Sequence, residues 1–221
     1  MQYLKNTRLA SAKPQQHYYC DISWKLPLLK RLKCLEIFAP TRAARPELTV
    51  WLSALDEMPQ LATLTLHSAS PIAPPIYSVG RTATLPSLTG LNILADPGDC
   101  ALTLAHLDLP ALTWLCVTAT HLPDSSELQN LLPHVARHAH GPQDTQALQS
   151  VLLFSTNNRA DIFAWPMPDD NVEVHDPPTL SATPRVALSF TSHQLSSDEC
   201  LEIFDTVMTC YVSPTLTMIQ L

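Results

Sequence analysis

The sequence predicts an α/β solenoid, horseshoe-like, with a parallel sheet on one face and helices and loops on the other. Three observations carry this. The pattern Leu-x-x-Leu-x-(Leu/Ile/Val) occurs four times: Leu32-Lys-Cys-Leu35-Glu-Ile37, Leu61-Ala-Thr-Leu64-Thr-Leu66, Leu88-Thr-Gly-Leu91-Asn-Ile93 and Leu112-Thr-Trp-Leu115-Cys-Val117. Its first leucines recur every 24–29 residues, in or near the spacing of leucine-rich repeats, where each unit supplies one short parallel strand. Finally, the 20 prolines cluster beside the apolar runs, where they punctuate strands.

Taken in order, residues 1–24 are polar and irregular, with an aromatic patch at Tyr18, Tyr19 and Trp24 expected to cover the first open sheet edge. They form an N-terminal edge segment, and residues 25–221 form the repeat domain. The first strand is Leu32–Ile37. Residues 47–57 follow as a helix, with Val50, Trp51, Ala54 and Leu55 on one face and Glu47 in the first turn. The second connection, 68–84, holds Pro71, Pro74, Pro75 and Gly80 and is expected to be irregular. In the third, 95–108, Pro97-Gly98-Asp99 reads as a turn, and Leu102, Leu104 and Leu107 fold back onto the core. Asp124, Ser125 or Ser126 caps a helix that runs to about His138 through Leu128, Leu131, Leu132 and Val135.

The pattern weakens after residue 145. Leu148–Leu153 matches, and Arg185–Phe190 matches only at its last apolar positions. Residues 161–184, with Pro166, Pro168, Pro177 and Pro178 and several acids, read as a long surface loop. Ser197 starts a helix whose apolar face is Leu201, Ile203, Phe204, Val207 and Met208. The chain then closes on Leu216-x-x-Ile219-x-Leu221, an uncapped strand where a repeat array ordinarily carries a polar cap. About six or seven units result.

Composition narrows the function. The formal charge is −7 and the few basic residues cluster only at Lys25, Lys30, Arg31 and Lys33, which speaks against a nucleic-acid partner. Four glycines cannot build a phosphate cradle. Six cysteines without a Cys-x-x-Cys pair, no signal core and no membrane-length apolar run favour reduced thiols in an intracellular compartment, cytoplasm or nucleus.

Strand alternation separates the two faces of each repeat. The apolar positions turn into the stack, where each buried leucine contributes roughly 1.5–3 kcal/mol. The residues between them turn outward: Cys34 and Glu36, Thr63 and Thr65, Gly90 and Asn92, Trp114 and Cys116, Ser150 and Leu152, Ala187 and Ser189, then Met218 and Gln220. Phe38, His67, Leu94, Thr118 and Phe154 follow one residue further on. This weakly polar surface with a few aromatics suits protein contact. The expected protein-binding face is Glu36, Phe38, Thr65, His67, Asn92, Trp114, Cys116 and Phe154, with Trp114 its first anchor.

On the segments LPLLKRLKCLEI, MPQLATLTL, LPSLTGLNI and LPALTWLCV, the chain resembles the leucine-rich-repeat region of F-box proteins, particularly the Pro-rich kind abundant in mushroom-forming fungi. The resemblance covers residues 25–120 well and 145–221 loosely. It implies a protein-interaction scaffold, the substrate-recognition part of an F-box type ubiquitin ligase. Residues 1–24 lack an F-box start, so a Skp-type adaptor is implied only with an F-box outside this chain. The alternatives are a free-standing repeat binding protein and a small α/β enzyme with a Cys/His site.

Other chemistry has weaker support. His134, His138 and His140 lack companion ligands for a metal and read as a solvated helix end. The acid pairs Asp169-Asp170 and Asp198-Glu199 read as solvated or capping, and nothing in sequence activates Cys34 or Cys116 as a nucleophile. No catalytic residue, metal or cofactor is expected, and no membrane partner.

Overall fold

The computed structural model describes residues 4–5, 27–39, 41, 45–72, 80–121, 123–139, 150–156, 158–165, 184–191, 196–211 and 218–220. Tyr18, Tyr19, Trp24, His140, Asp169 and Asp170 lie outside them. In chain order the elements are β1 (Leu4–Lys5), a 3₁₀ turn (Pro27–Arg31), β2 (Cys34–Phe38), α1 (Leu48–Asp56), β3 (Thr63–His67), β4 (Ala83–Thr84), β5 (Gly90–Ala95), α2 (Pro97–Ala105), β6 (Leu107–Asp108), β7 (Trp114–Ala119), α3 (Ser125–Ala139), β8 (Ser150–Thr156), β9 (Arg159–Trp165), β10 (Val186–Thr191), α4 (Ser197–Tyr211) and β11 (Met218–Gln220).

The four leucine motifs enter their strands in one way. The amide of the first leucine donates to the carbonyl three residues earlier: Leu32 to Leu29, Leu61 to Met58, Leu88 to Leu85 and Leu112 to Leu109, all at 3.1–3.2 Å. Both side chains of each pair are buried. The apolar signature therefore starts three residues before the motif. One carbonyl then accepts two amides from the next strand's entrance. Lys33 O takes Ala62 and Thr63, Ala62 O takes Thr89 and Gly90, and Thr89 O takes Thr113 and Trp114. Equivalent residues consequently fall opposite one another, with Leu35, Leu64, Leu91 and Leu115 in one parallel register and Ile37, Leu66, Ile93 and Val117 in the next.

The sheet is open, mostly parallel and nine-stranded, in the order β1-β2-β3-β5-β7-β10-β9-β8-β11. β1 pairs parallel with the edge of β2. Strands β4 and β6 form a separate parallel pair. The core lies between the inward sheet face and one face of each helix. Leu52 and Leu55 of α1, Leu104 of α2, Leu131 and Val135 of α3, and Ile203 and Val207 of α4 join it.

Several local expectations are corrected. Residues 97–105 form a helix rather than a turn: Asp96 is its N-cap and Pro97 occupies the first turn, where a missing N–H costs nothing. Leu104 and Leu107 are buried and Leu102 packs against the core, as expected. In α1, Val50 is 44% exposed while Leu48 and Leu52 are buried, so the apolar stripe is rotated by about one residue. Glu47 is the N-cap and makes no side-chain cap. Leu201 of α4 is 55% exposed, whereas Ile203 and Val207 are buried. The cap of α3 is Asp124: its Oδ1 accepts the amides of Ser126 and Glu127 at 2.9 Å, and Glu127 accepts the Asp124 amide in return.

The second half departs further. Residues 159–165, partly inside the expected loop, form β9, which pairs antiparallel with β8 and β10. Only two residues separate β8 from β9, and a connection that short joins antiparallel strands, never parallel ones. The strand beside β7 is the weakly matching Val186–Thr191, not the better-matching segment near Leu148.

An arginine from the following segment meets the C-terminal end of three helices. Arg81 bonds Ser53 and Asp56 of α1. Arg137 of α3 donates to the carbonyls of Leu104, Ala105 and Leu107 at the end of α2. Arg185 donates to the carbonyl of Ala139, which ends α3, and to that of Leu112. Arg137 and Arg185 thereby supply donors to carbonyls at helix ends, which lack an intrahelical partner, whereas Arg81 bonds side chains.

Leu91 is fully buried between Leu64 and Leu115. Leu91→Ala should lower stability by about 2–5 kcal/mol in urea unfolding. Leu91→Asp should prevent folding, because it leaves an unpaired charge inside the stack; a native-like melt of Leu91→Asp contradicts this packing.

Candidate protein-binding face

The registers that stack the leucines also align the residues between them. Across β2, β3, β5 and β7 the first outward row is Cys34, Thr63, Gly90 and Trp114. The second row is Glu36, Thr65, Asn92 and Cys116, and the third is Phe38, His67, Leu94 and Thr118. Seven of the eight expected site residues therefore share one surface, about 14 Å wide across three strand spacings. Phe154 does not join them. It lies on β8, opposite Asp161, with β9 and β10 between it and β7; its side chain lies outside the described residues.

The rows are open to different degrees. Phe38 is 51% exposed, whereas Glu36, Thr65, His67, Asn92, Trp114 and Cys116 are half-buried. At the β2–β3 corner the Phe38 and His67 rings stack with centroids 4.0 Å apart and planes 6° from parallel. His67 Nε2 lies 3.2 Å from Glu36 Oε1. Thus the carboxylate of these three rows already has a partner, and the face as a whole is close to neutral.

Beyond β7 the third row is closed, and the second is closed at β10 but half-open at Phe163 of β9. Ala187, Ser189 and Asp161 are buried although they continue the second and third outward rows. The Asp161 carboxylate accepts from the Ser189 hydroxyl and from Arg159 Nε, the latter at 2.8 Å. Burying a carboxylate requires such partners. This triad marks the boundary of the open surface. Sequence reading missed Asp161 and Arg159 because an acid amid prolines reads as loop; the alternating apolar residues Ala160, Ile162 and Ala164 were the available signal.

The thiols and histidines do other work. Cys34, Cys100 and Cys116 are free. Burial pushes the Cys116 thiol up, against a smaller opposing effect of Thr118 and Arg159. That is the reverse of what activates a nucleophile. Burial, with nearby Asp99, also raises the Cys100 thiol. His138, expected at a solvated helix end, is instead buried, with Nε2 3.2 Å from the Leu104 carbonyl, to which the Nε2–H tautomer donates. Among the described residues no three His, Cys, Asp or Glu side chains converge as metal ligands. Likewise, no described helix is long and apolar enough to cross a membrane. Comparison with family models, curated proteins and solved structures finds no match to this chain.

Burial lowers the affinity of His138 and His134 for a proton, and the cation of Arg137 adds to it. For His138 the Leu104 carbonyl and Asp108 act in the opposite direction, and His134 adds to the depression; His106 does so for His134. Both rings are therefore neutral when folded, at a pH where the unfolded chain binds protons. Their contribution to stability is complete above the unfolded value near 6.5 and is lost as pH falls below it towards the folded values. Urea unfolding should show stability decreasing from pH 7.5 to 5.5, with a shallower slope in His138→Gln; an unchanged slope in that variant removes His138 as the cause.

Proposed function

We propose that this chain is a leucine-rich-repeat solenoid that binds another protein through the outward face of β2, β3, β5 and β7. The observation that carries the proposal is the half-open state of that face. Aromatic side chains stand on in-register strands with no described helix over them, whereas Ala187 and Ser189 of β10 and Asp161 of β9, which continue these rows, are buried. A platform with Trp114 at one side and the Phe38–His67 stack at the other fits a partner surface that buries aromatics and carries little charge. The resemblance to F-box repeat proteins extends the proposal. The partner would be a substrate for ubiquitin transfer, and an F-box outside this chain would engage the Skp-type adaptor. The free thiols fit an intracellular setting.

Site-specific photo-cross-linking tests the face. A cross-linker at Thr65, on the open rows, should trap a partner in cells, while the same group at the exposed Val50 on α1 should not. Mass spectrometry then identifies the partner and reveals whether a Skp-type adaptor co-purifies. With the partner in hand, Trp114→Ala should weaken binding roughly 10- to 100-fold, the cost of a truncated hot spot of about 2 kcal/mol, with little change in the melt. Equal trapping from both positions, or unchanged affinity, would remove this face from the interaction.

A further inference from the structure

Gly90 occupies the entrance of a central strand, where glycine weakens pairing and marks a close approach. Its backbone does not demand glycine: among the described glycines only Gly80 has a positive φ, of 144°. Nor does the repeat demand it, since the register equivalents are Cys34, Thr63 and Trp114. What fills the space is the neighbouring indole. A Cβ at residue 90 would stand 3.3 Å from Cε3 and 3.8 Å from Cζ3 of Trp114, and 3.4 Å from Cγ2 of Thr63.

We infer that Gly90 is a positioning residue of the binding face: its missing side chain leaves the space beside β5 in which the Trp114 ring is seated. The inference rests on the binding role proposed for the face. Gly90 is buried and has no side chain to offer a partner, so it acts through Trp114. The ring is half-buried, with Cε3 and Cζ3 beside the position a side chain at residue 90 would take. An aromatic held in its bound pose loses less rotamer freedom on association. A methyl group at residue 90 is compatible with the strand backbone, but the indole must move to admit it.

The test uses the full chain with Gly90→Ala, Trp114→Phe and the double variant. Trp114 emission is obtained by subtracting the Trp114→Phe spectrum, and its accessibility is read by acrylamide quenching. Gly90→Ala should red-shift that emission, increase quenching and weaken the cross-linked partner's binding by about tenfold, with Tm within roughly 4 °C of the parent. In the Trp114→Phe background, Gly90→Ala should change partner affinity little, because the smaller ring leaves room. Unchanged emission and quenching would overturn the seat. Altered emission with unchanged partner affinity would overturn its role in binding, as would a large fall in Tm that Trp114→Phe cancels. Failure of the face itself is read separately, from the Thr65 and Val50 cross-links.

Discussion

A single carbonyl before each strand, shared by two amides of the next, is the constraint on which the open face depends. Lys33, Ala62 and Thr89 perform this in succession, and Thr89 and Thr113 add hydroxyl donors to the carbonyls of Ala62 and Thr89 at 3.1 and 2.9 Å. Because the strand period is two, a slip of one residue would exchange the leucines with the outward rows. The ladder prevents that slip at each step. The same bonds that close the core therefore also decide that Glu36, Thr65, Asn92 and Cys116 stand side by side.

The connections between strands differ in length and structure, yet they do not disturb the register. One holds α1, another only short extended pieces among its described residues, a third α2. Their ends are reconciled by polar anchors rather than by a common backbone. Arg137 and Arg185 donate to part-buried carbonyls at the ends of α2 and α3. Arg81, on an exposed pair, serves the end of α1 and contributes less. Leucines thus set the spacing between strands, and arginines of the following segments tie down the ends of α1, α2 and α3.

The two halves of the sheet differ in what faces away from the core. From β2 to β7 the outward rows are half-exposed, neutral and partly aromatic. Across β10 and β9 they are buried at Ala187, Ser189 and Asp161, and Ser189 and Arg159 hold the Asp161 carboxylate. The burial begins on β10, one strand before the pairing turns antiparallel between β10 and β9. On the proposed reading the first half is where a partner would gain most, and there Gly90 leaves room for the Trp114 ring.

The first half was legible because its information is local. Leucines at 32, 35, 61, 64, 88, 91, 112 and 115, with the apolar residues two places on, specify strands, inward faces and, by recurrence, neighbours. The helices α1, α3 and α4 were legible from apolar spacing and, for α3, from its cap. What the sequence could not specify depended on distant partners. Pro97-Gly98 reads equally as a turn or a helix start, and packing of Cys100 and Leu104 decides for the helix. Asp161 belongs in a strand only because Ser189 and Arg159 satisfy its charge. The placement of β10 beside β7, the burial of His138 and the seating of Trp114 over Gly90 join residues 24 to 71 positions apart, contacts that no local pattern encodes. Periodicity alone determined which residues face inward; only tertiary pairing decided which strands lie side by side and which stretch of the outer surface stays open.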